Sequence, residues 1–183
     1  EVFNSLAYTG NGASTRDFDL GMTVDSYFQA CRSSSSYDFK NFTPRLTGKG
    51  LYTAGASGEF TTNTSLDVQE GLRAIGFENT LNQSGQTYII NAFKRATGFM
   101  DVVAYTGNGA VRTIPHNLGV APEMMLFKIR NQVSNWQVYA SGMGPTKSNR
   151  LNNDGAPVTA TAYFNDTAPT SSVFTLGTSG NMN

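Results

Sequence analysis

Apolar and polar positions alternate along this chain in short runs, and Gly, Pro and Asn separate the runs. In "FMDVVAYTGNGAVRTI" (99–114), Val103 and Tyr105 alternate with Val102 and Ala104, and Val111 and Ile114 follow after a turn. Strand side chains point to opposite faces with period two, so this reads as two strands around a tight connection. "MMLFKIR" (124–130) is apolar on both alternations until Lys128, and "TYIINAFK" (87–94) is similar, as expected for strands covered on both faces. "WQVYAS" (136–141) places Trp136, Val138 and Ala140 on one face and Gln137, Tyr139 and Ser141 on the other. "LRAIGF" (72–77), "ATAYF" (160–164) and "SVFTLG" (172–177) are further expected strands, and residues 66–72 are compatible with one helical turn. No long segment has a 3.6-residue period. Short strands with turn residues between them predict an all-β fold of sandwich or jelly-roll type.

The heptapeptide "AYTGNGA" stands at residues 7–13 and again, unchanged, at 104–110. Around it, Tyr8, Gly10, Asn11 and Gly12 match Tyr105, Gly107, Asn108 and Gly109. Leu20-Gly21 then match Leu118-Gly119, and "DVQEGLRAIGFENTLN" aligns with "APTSSVFTLGTSGNMN", pairing Leu72 with Val173 and Asn82 with Asn183. The chain therefore reads as two tandem β-sandwich repeats, residues 1–98 and 99–183. The first copy ends on "QSGQTYIINAFKRA", and the second stops before the equivalent strand. A sandwich lacking it would have an open edge, to be filled by the chain continuing or by a strand from another chain. The chain does not begin with Met and ends on "TLGTSGNMN", so it is expected to be part of a longer or processed polypeptide.

Asn-Gly is a strong hairpin signal, because a type I′ turn needs positive φ at both central residues. Gly10, Asn11, Gly12, Gly107, Asn108, Gly109, Leu118 and Gly119 are accordingly assigned to structural turns. A phosphate-cradling role would need a helix after the loop, and none is expected.

Composition narrows the functional classes. Lys plus Arg and Asp plus Glu each number 13, only 14% of residues are charged, and Gly, Ser, Thr and Asn supply about 40%. That balance gives no field for nucleic acid or an acidic membrane. No apolar run reaches the roughly 20 residues of a membrane-spanning helix. The single cysteine, Cys31, lies in "SYFQACR" and reads as a buried thiol. "SSSS" (33–36) reads as a loop.

Catalytic chemistry finds little to stand on. The one histidine, His116, aligns with Phe18, so it is expected to pack beside the Leu118-Gly119 turn. Asp17 and Asp19 in "RDFD" do not recur in the second copy, and "NNDG" (152–155) is a fragment of a calcium-loop pattern that reads as a turn. No enzyme activity, cofactor or metal is expected. Trp136, Tyr139 and Tyr37 are the candidate ligand-contact rings, of the kind that stack on sugars, with Tyr52 and Tyr163 near the surface.

"VVAYTGNGAVRTIPHNLGVAPEMMLFKIRN", with "NWQVYAS" and "APTSSVFTLGTSGNMN", resembles a repeat domain of bacteriophage virion proteins. That domain runs through a Tyr-x-Gly-Asn-Gly turn, His-Gly-Leu-Gly-x-x-Pro, a Lys-x-Arg strand and a Trp strand. Here Asn117 stands in place of the Gly after His116, and the first copy has Phe18, Val24 and Tyr37 in place of His, Pro and Trp. The resemblance implies a structural protein of a phage particle, most simply a tail fibre or other external host-attachment appendage. Its implied partners are other virion proteins and further copies of itself, a trimer by analogy with fibres, with a host surface glycan as a further ligand. The competing expectation is a carbohydrate-binding module of a secreted bacterial enzyme or adhesin.

Overall fold

A computed structural model describes residues 1–34, 41–44, 49–61, 64–65, 70–75 and 82–183. The fold is all-β and sandwich-like, with antiparallel sheets throughout. The chain forms two compact units, residues 1–52 with 59–95 and residues 53–58 with 96–183.

In the first unit, β1 (Phe3–Thr9), β9 (Thr87–Phe93), β3 (Ser26–Cys31), β4 (Asn41–Pro44), β5 (Lys49–Tyr52) and β6 (Phe60–Thr61) form one sheet in that spatial order. A second sheet holds β2 (Thr15–Asp19), β8 (Gly71–Ile75) and β7 (Thr64–Ser65). Period-two alternation decides which groups go inward. In β9, Tyr88, Ile90 and Ala92 are fully buried while the residues between them are half-buried. In β1, Leu6 and Tyr8 turn toward the same core. Phe18 from β2 and Leu72 from β8 meet Tyr27, Ile90 and Ala92 from the larger sheet, with Leu20, Met22 and Val24 closing the core. Two sheets sharing one apolar layer is what makes this unit a sandwich. Cys31 is buried at the end of β3.

In the second unit, β10 (Arg112–Pro115) pairs with β15 (Val173–Leu176). A separate sheet runs β11 (Met124–Phe127), β12 (Gln137–Ala140), β13 (Lys147–Arg150) and β14 (Val158–Thr159). Aromatic rings fill the core. Phe127 lies 5.7 Å from Phe164 and 5.4 Å from Phe174, and Tyr139 meets Phe164 edge-on at 5.4 Å. Such tilted and edge-to-face pairs are favoured by the ring quadrupoles beyond simple burial.

Three expectations need correction. First, "AYTGNGA" closes no hairpin in either unit: β1 pairs with β9 and β2 with β8, so the loop crosses from one sheet to the other. In the second unit residues 102–109 join no ladder. Only Gly12 (φ 70°) and Gly109 (φ 72°) have positive φ there, and Asn11 and Asn108 do not, which excludes a type I′ turn.

Second, "ATAYF" is not a strand. Thr161–Phe164 makes one α-helical turn (α1), ended by Asn165 and Asp166 in left-handed conformation (φ 51° and 50°), which short polar side chains tolerate. The Ala162 and Tyr163 carbonyls accept the Ser179 and Gly177 N–H groups at 3.0 and 2.7 Å, so the turn is held by a distant segment. Third, Gln137, Val138 and Tyr139 are all buried, so the expected inward and outward alternation of β12 is absent. Of the other expected elements, residues 66–69 and 76–77 lie outside the described residues.

Phe164 is 1% exposed and touches Phe127, Tyr139 and Tyr163. Phe164→Ala removes that hub and leaves a cavity, and is expected to cost the second unit about 3–5 kcal/mol. A fall in its denaturation midpoint checks this.

Candidate functional site

A backbone that leaves one sheet for another passes beyond the ladders, and its N–H and C=O groups need other partners. The "AYTGNGA" crossing finds them in one remote asparagine. In the first unit, Asn82 accepts the Asn11 N–H through Oδ1 at 3.1 Å. Its Nδ2 donates to the Ala13 carbonyl at 3.0 Å and to Asn11 Oδ1 at 2.7 Å. Asn11 Oδ1 also takes the Ala13 N–H at 3.0 Å, an Asx-turn that folds the loop on itself. The Gly12 N–H donates to the Asn82 carbonyl at 2.8 Å.

The second unit repeats this pattern atom for atom at its main points. Asn183 Oδ1 accepts the Asn108 N–H at 3.0 Å, its Nδ2 donates to the Ala110 carbonyl at 2.6 Å, and Asn108 Oδ1 takes the Ala110 N–H at 3.0 Å. Asn183 Nδ2 reaches the Gly177 carbonyl as well, at 2.7 Å. A carboxamide offers one acceptor oxygen and two N–H donors, so one side chain serves both a donor and an acceptor of the loop.

The glycines follow from this docking. A Cβ on Gly10 would stand 2.1 Å from the Gln83 carbonyl oxygen, and one on Gly107 would stand 2.5 Å from the Asn183 carbonyl carbon. Close backbone approach therefore excludes any side chain at either position. Leu118 and Gly119 lie at a separate turn, where Gly119 has φ 74° and the Leu118 carbonyl accepts the Gly98 N–H at 2.7 Å.

An arginine braces each crossing. Arg16 Nη1 donates to the Thr9 carbonyl at 2.7 Å and to Asn82 Oδ1 at 3.2 Å, and its guanidinium lies 5.0 Å from the centres of the Tyr8 and Phe18 rings. Arg112 donates likewise to the Thr106 carbonyl and lies 5.9 Å from the Tyr105 ring centre. Both fit cation–π geometry. Burial raises the phenol pKa of Tyr8 and Tyr105, Tyr105 to about 12, with the arginine opposing the shift in each case. The Tyr105 hydroxyl donates to the Met182 carbonyl at 2.7 Å, one residue before the latching asparagine.

The remaining sequence candidates are dispersed. His116 Nδ1 accepts the Leu118 N–H and Nε2 faces the Thr170 carbonyl, both at 3.2 Å, so the Nε2–H tautomer satisfies both nitrogens. Its ring lies parallel to Phe174 with centroids 6.5 Å apart. The alignment of His116 with Phe18 fails: Phe18 stands opposite Leu72, Ile114 stands opposite Phe174, and each follows its bracing arginine by two residues. Ile114 thus occupies the place of Phe18, and Phe174 rather than Val173 that of Leu72.

Asp17 is bound by Arg73 (Oδ1–Nε 2.5 Å, Oδ2–Nη2 2.7 Å), which holds its carboxyl below the usual carboxylate range. Asp19 Oδ1 accepts the Gly21 N–H at 3.0 Å. In "NNDG", Asn153 Oδ1 accepts the Gly155 N–H at 2.9 Å, an ordinary Asx-turn. Trp136 (2% exposed) and Tyr139 (3% exposed) are buried, which removes both from any ligand-contacting surface. Tyr37 lies outside the described residues. Tyr52 stacks on Phe60 at 4.4 Å, and Tyr163 accepts a hydrogen bond from Asn181. Among the described residues no group of three or more His, Cys, Asp or Glu is placed to hold a metal ion, and no helix is long and apolar enough to cross a membrane.

Asn82 and Asn183 matched in the sequence but received no role there, and Arg16 and Arg112 went unremarked. The asparagines close the two aligned segments that end at 82 and 183, and the arginines follow Asn11 and Asn108 by five and four residues, so each recurs near the same place in its copy.

Asn82→Ala would strand the Asn11 N–H and the Ala13 carbonyl, and is expected to destabilise the first unit by about 2–3 kcal/mol in denaturant unfolding. Asn183→Ala should act in the same direction on the second unit. A second test uses alkaline pH. The folded Tyr105 phenol keeps its proton up to about pH 12, whereas an unfolded tyrosine releases it near 10. Its stabilising contribution is therefore complete below about pH 10 and declines as pH rises toward 12. Tyr105→Phe should flatten that decline in unfolding curves taken across this window.

No curated protein and no solved structure matches the chain. One family model does, described as "Domain of unknown function (DUF7483)", over residues 1–183. The chain belongs to the DUF7483 family.

Proposed function

We propose that this chain is a structural module of a bacteriophage particle, part of a tail fibre or another external host-attachment appendage. The observation that carries the reading is the doubled latch. The recurring residues Tyr, Gly, Asn and Gly, with their partner Asn and Arg, are all spent on holding the loop in both units. A chain that duplicates a structural device suits a fibre built from successive β modules. The phage resemblance supplies the setting, with other virion proteins and further copies of this chain as partners.

The absence of net charge suits the same role, since neutral polar surface lets modules pack along a fibre without mutual repulsion. Of the three candidate sugar platforms for the carbohydrate-binding alternative, Trp136 and Tyr139 are spent in the interior, and Tyr37 lies outside the described residues.

Gold-labelled antibody against this chain should decorate an external appendage on intact phage particles, and the chain should sediment with them. Light scattering on the isolated protein should give an oligomer, a trimer on the fibre analogy. A monomer that binds glycans and stays free of particles would contradict the proposal.

A further inference from the structure

Several turns of this chain are closed by a side chain that accepts the backbone N–H two residues ahead. Asn11, Asp19, Asn108 and Asn153 do so for Ala13, Gly21, Ala110 and Gly155, each through an oxygen at 2.9 or 3.0 Å. His116 does the same for Leu118 through Nδ1, at 3.2 Å. The acceptors differ in one respect. An amide or carboxyl oxygen keeps a lone pair when the pH falls, whereas an imidazole nitrogen that takes up a proton has none left. Imidazole is also the side chain that ordinarily changes charge between pH 5 and 8. His116 is the only histidine in the chain.

The ring has little freedom to turn away. Its Nε2 bonds the Thr170 carbonyl at 3.2 Å, the His116 backbone N–H donates to the Ser172 carbonyl at 2.9 Å, and Phe174 lies parallel to the ring. A doubly protonated ring keeps the Thr170 bond and sets its new N–H against the Leu118 N–H, donor against donor. The turn so disturbed is docked on residues 97–101. The Leu118 carbonyl accepts the Gly98 N–H at 2.7 Å, and the Asn117 N–H donates to Asp101 Oδ2 at 2.8 Å. A Cβ on Gly119 would stand 2.7 Å from Thr97 Cγ2, so the two segments touch.

We propose that His116 is an acid-released clasp: uptake of a solvent proton at Nδ1 frees the Leu118 N–H to water and loosens the 116–119 turn from residues 97–101. Other ionisable groups border it. Residues 97–101 bring Asp101, whose two oxygens accept the Val102 and Asn117 N–H groups. β10 carries Arg112, bound to the Thr106 carbonyl, and the segment leading to Thr170 carries Asp166. β15 brings none. Protonation of Asp101 would release the same turn through Asn117, so the test separates it from His116.

NMR on the full chain from pH 7.5 to 5.0 reads the His116 imidazole resonances together with amide protection, the intrinsic exchange rates being divided out. Protection at Leu118 and Gly98 should fall about tenfold or more as the imidazole takes up its proton, while Ala110, held by Asn108, keeps its own. His116→Asn supplies an oxygen in the same turn and should hold Leu118 equally at both ends of the range. Unchanged Leu118 protection across the imidazole titration would overturn the proposal, as would an imidazole that stays neutral to pH 5.0. A fall that persists in His116→Asn would overturn it too, and would assign the release to Asp101. If that variant does not fold, the wild-type chain decides alone: a Leu118 transition that does not coincide with the imidazole titration contradicts the clasp.

Discussion

A chain that changes sheets must satisfy its backbone where no ladder can, and in this protein that requirement governs the local architecture. Each "AYTGNGA" crossing is closed from outside, by an asparagine about seventy-five residues or fewer away in sequence, whose carboxamide takes one N–H and returns one to a carbonyl. Everything near it follows. Gly10 and Gly107 are glycine because the docked backbone leaves no room for Cβ. Gly12 and Gly109 take the positive φ that an Asx-turn on Asn11 or Asn108 then needs. The arginine that caps the Thr9 or Thr106 carbonyl also lies over the tyrosine leading into the loop.

In the first unit this latch ties the two sheets of the sandwich at one corner, and in the second it ties the loop to the segment that follows β15. Tyr8 and Tyr105 enter the core just before the loop, and Phe18 and Ile114 re-enter it just after. Between those anchor points the loop is short and polar. Hydrogen bonds net only about 1 kcal/mol each, so the latch adds definition to a core that apolar burial already drives. The recurrence of the whole set, rather than of an isolated turn, is what gives the heptapeptide its structural meaning.

The pattern of the chain made the strand content and the recurring loop legible, because both depend on local periodicity and on identity of sequence. Geometry that depends on distant partners was not. Asn-Gly reads locally as a hairpin, and nothing in seven residues reveals that the flanking strands pair with β9 and β8 instead of each other. "ATAYF" has strand-like alternation, yet Asn165 and Asp166 stop it as a single helical turn whose carbonyls are claimed by Gly177 and Ser179. Trp136 and Tyr139 look like surface rings in a short run and are buried because β12 is covered on both faces. The candidate site was half visible: the loop was plain, while the asparagines and arginines that hold it matched in position but carried no local sign of what they touch.

The most direct measurement is residue-resolved amide exchange by NMR at Asn11, Gly12 and Ala13 and at Asn108 and Ala110. These five amides are exposed-loop positions by sequence, and each donates to a latch oxygen, either an Asn side-chain oxygen or the Asn82 carbonyl. The latch predicts strong protection at all five, in both units. Exchange at the rate of an unstructured peptide in either loop would contradict it.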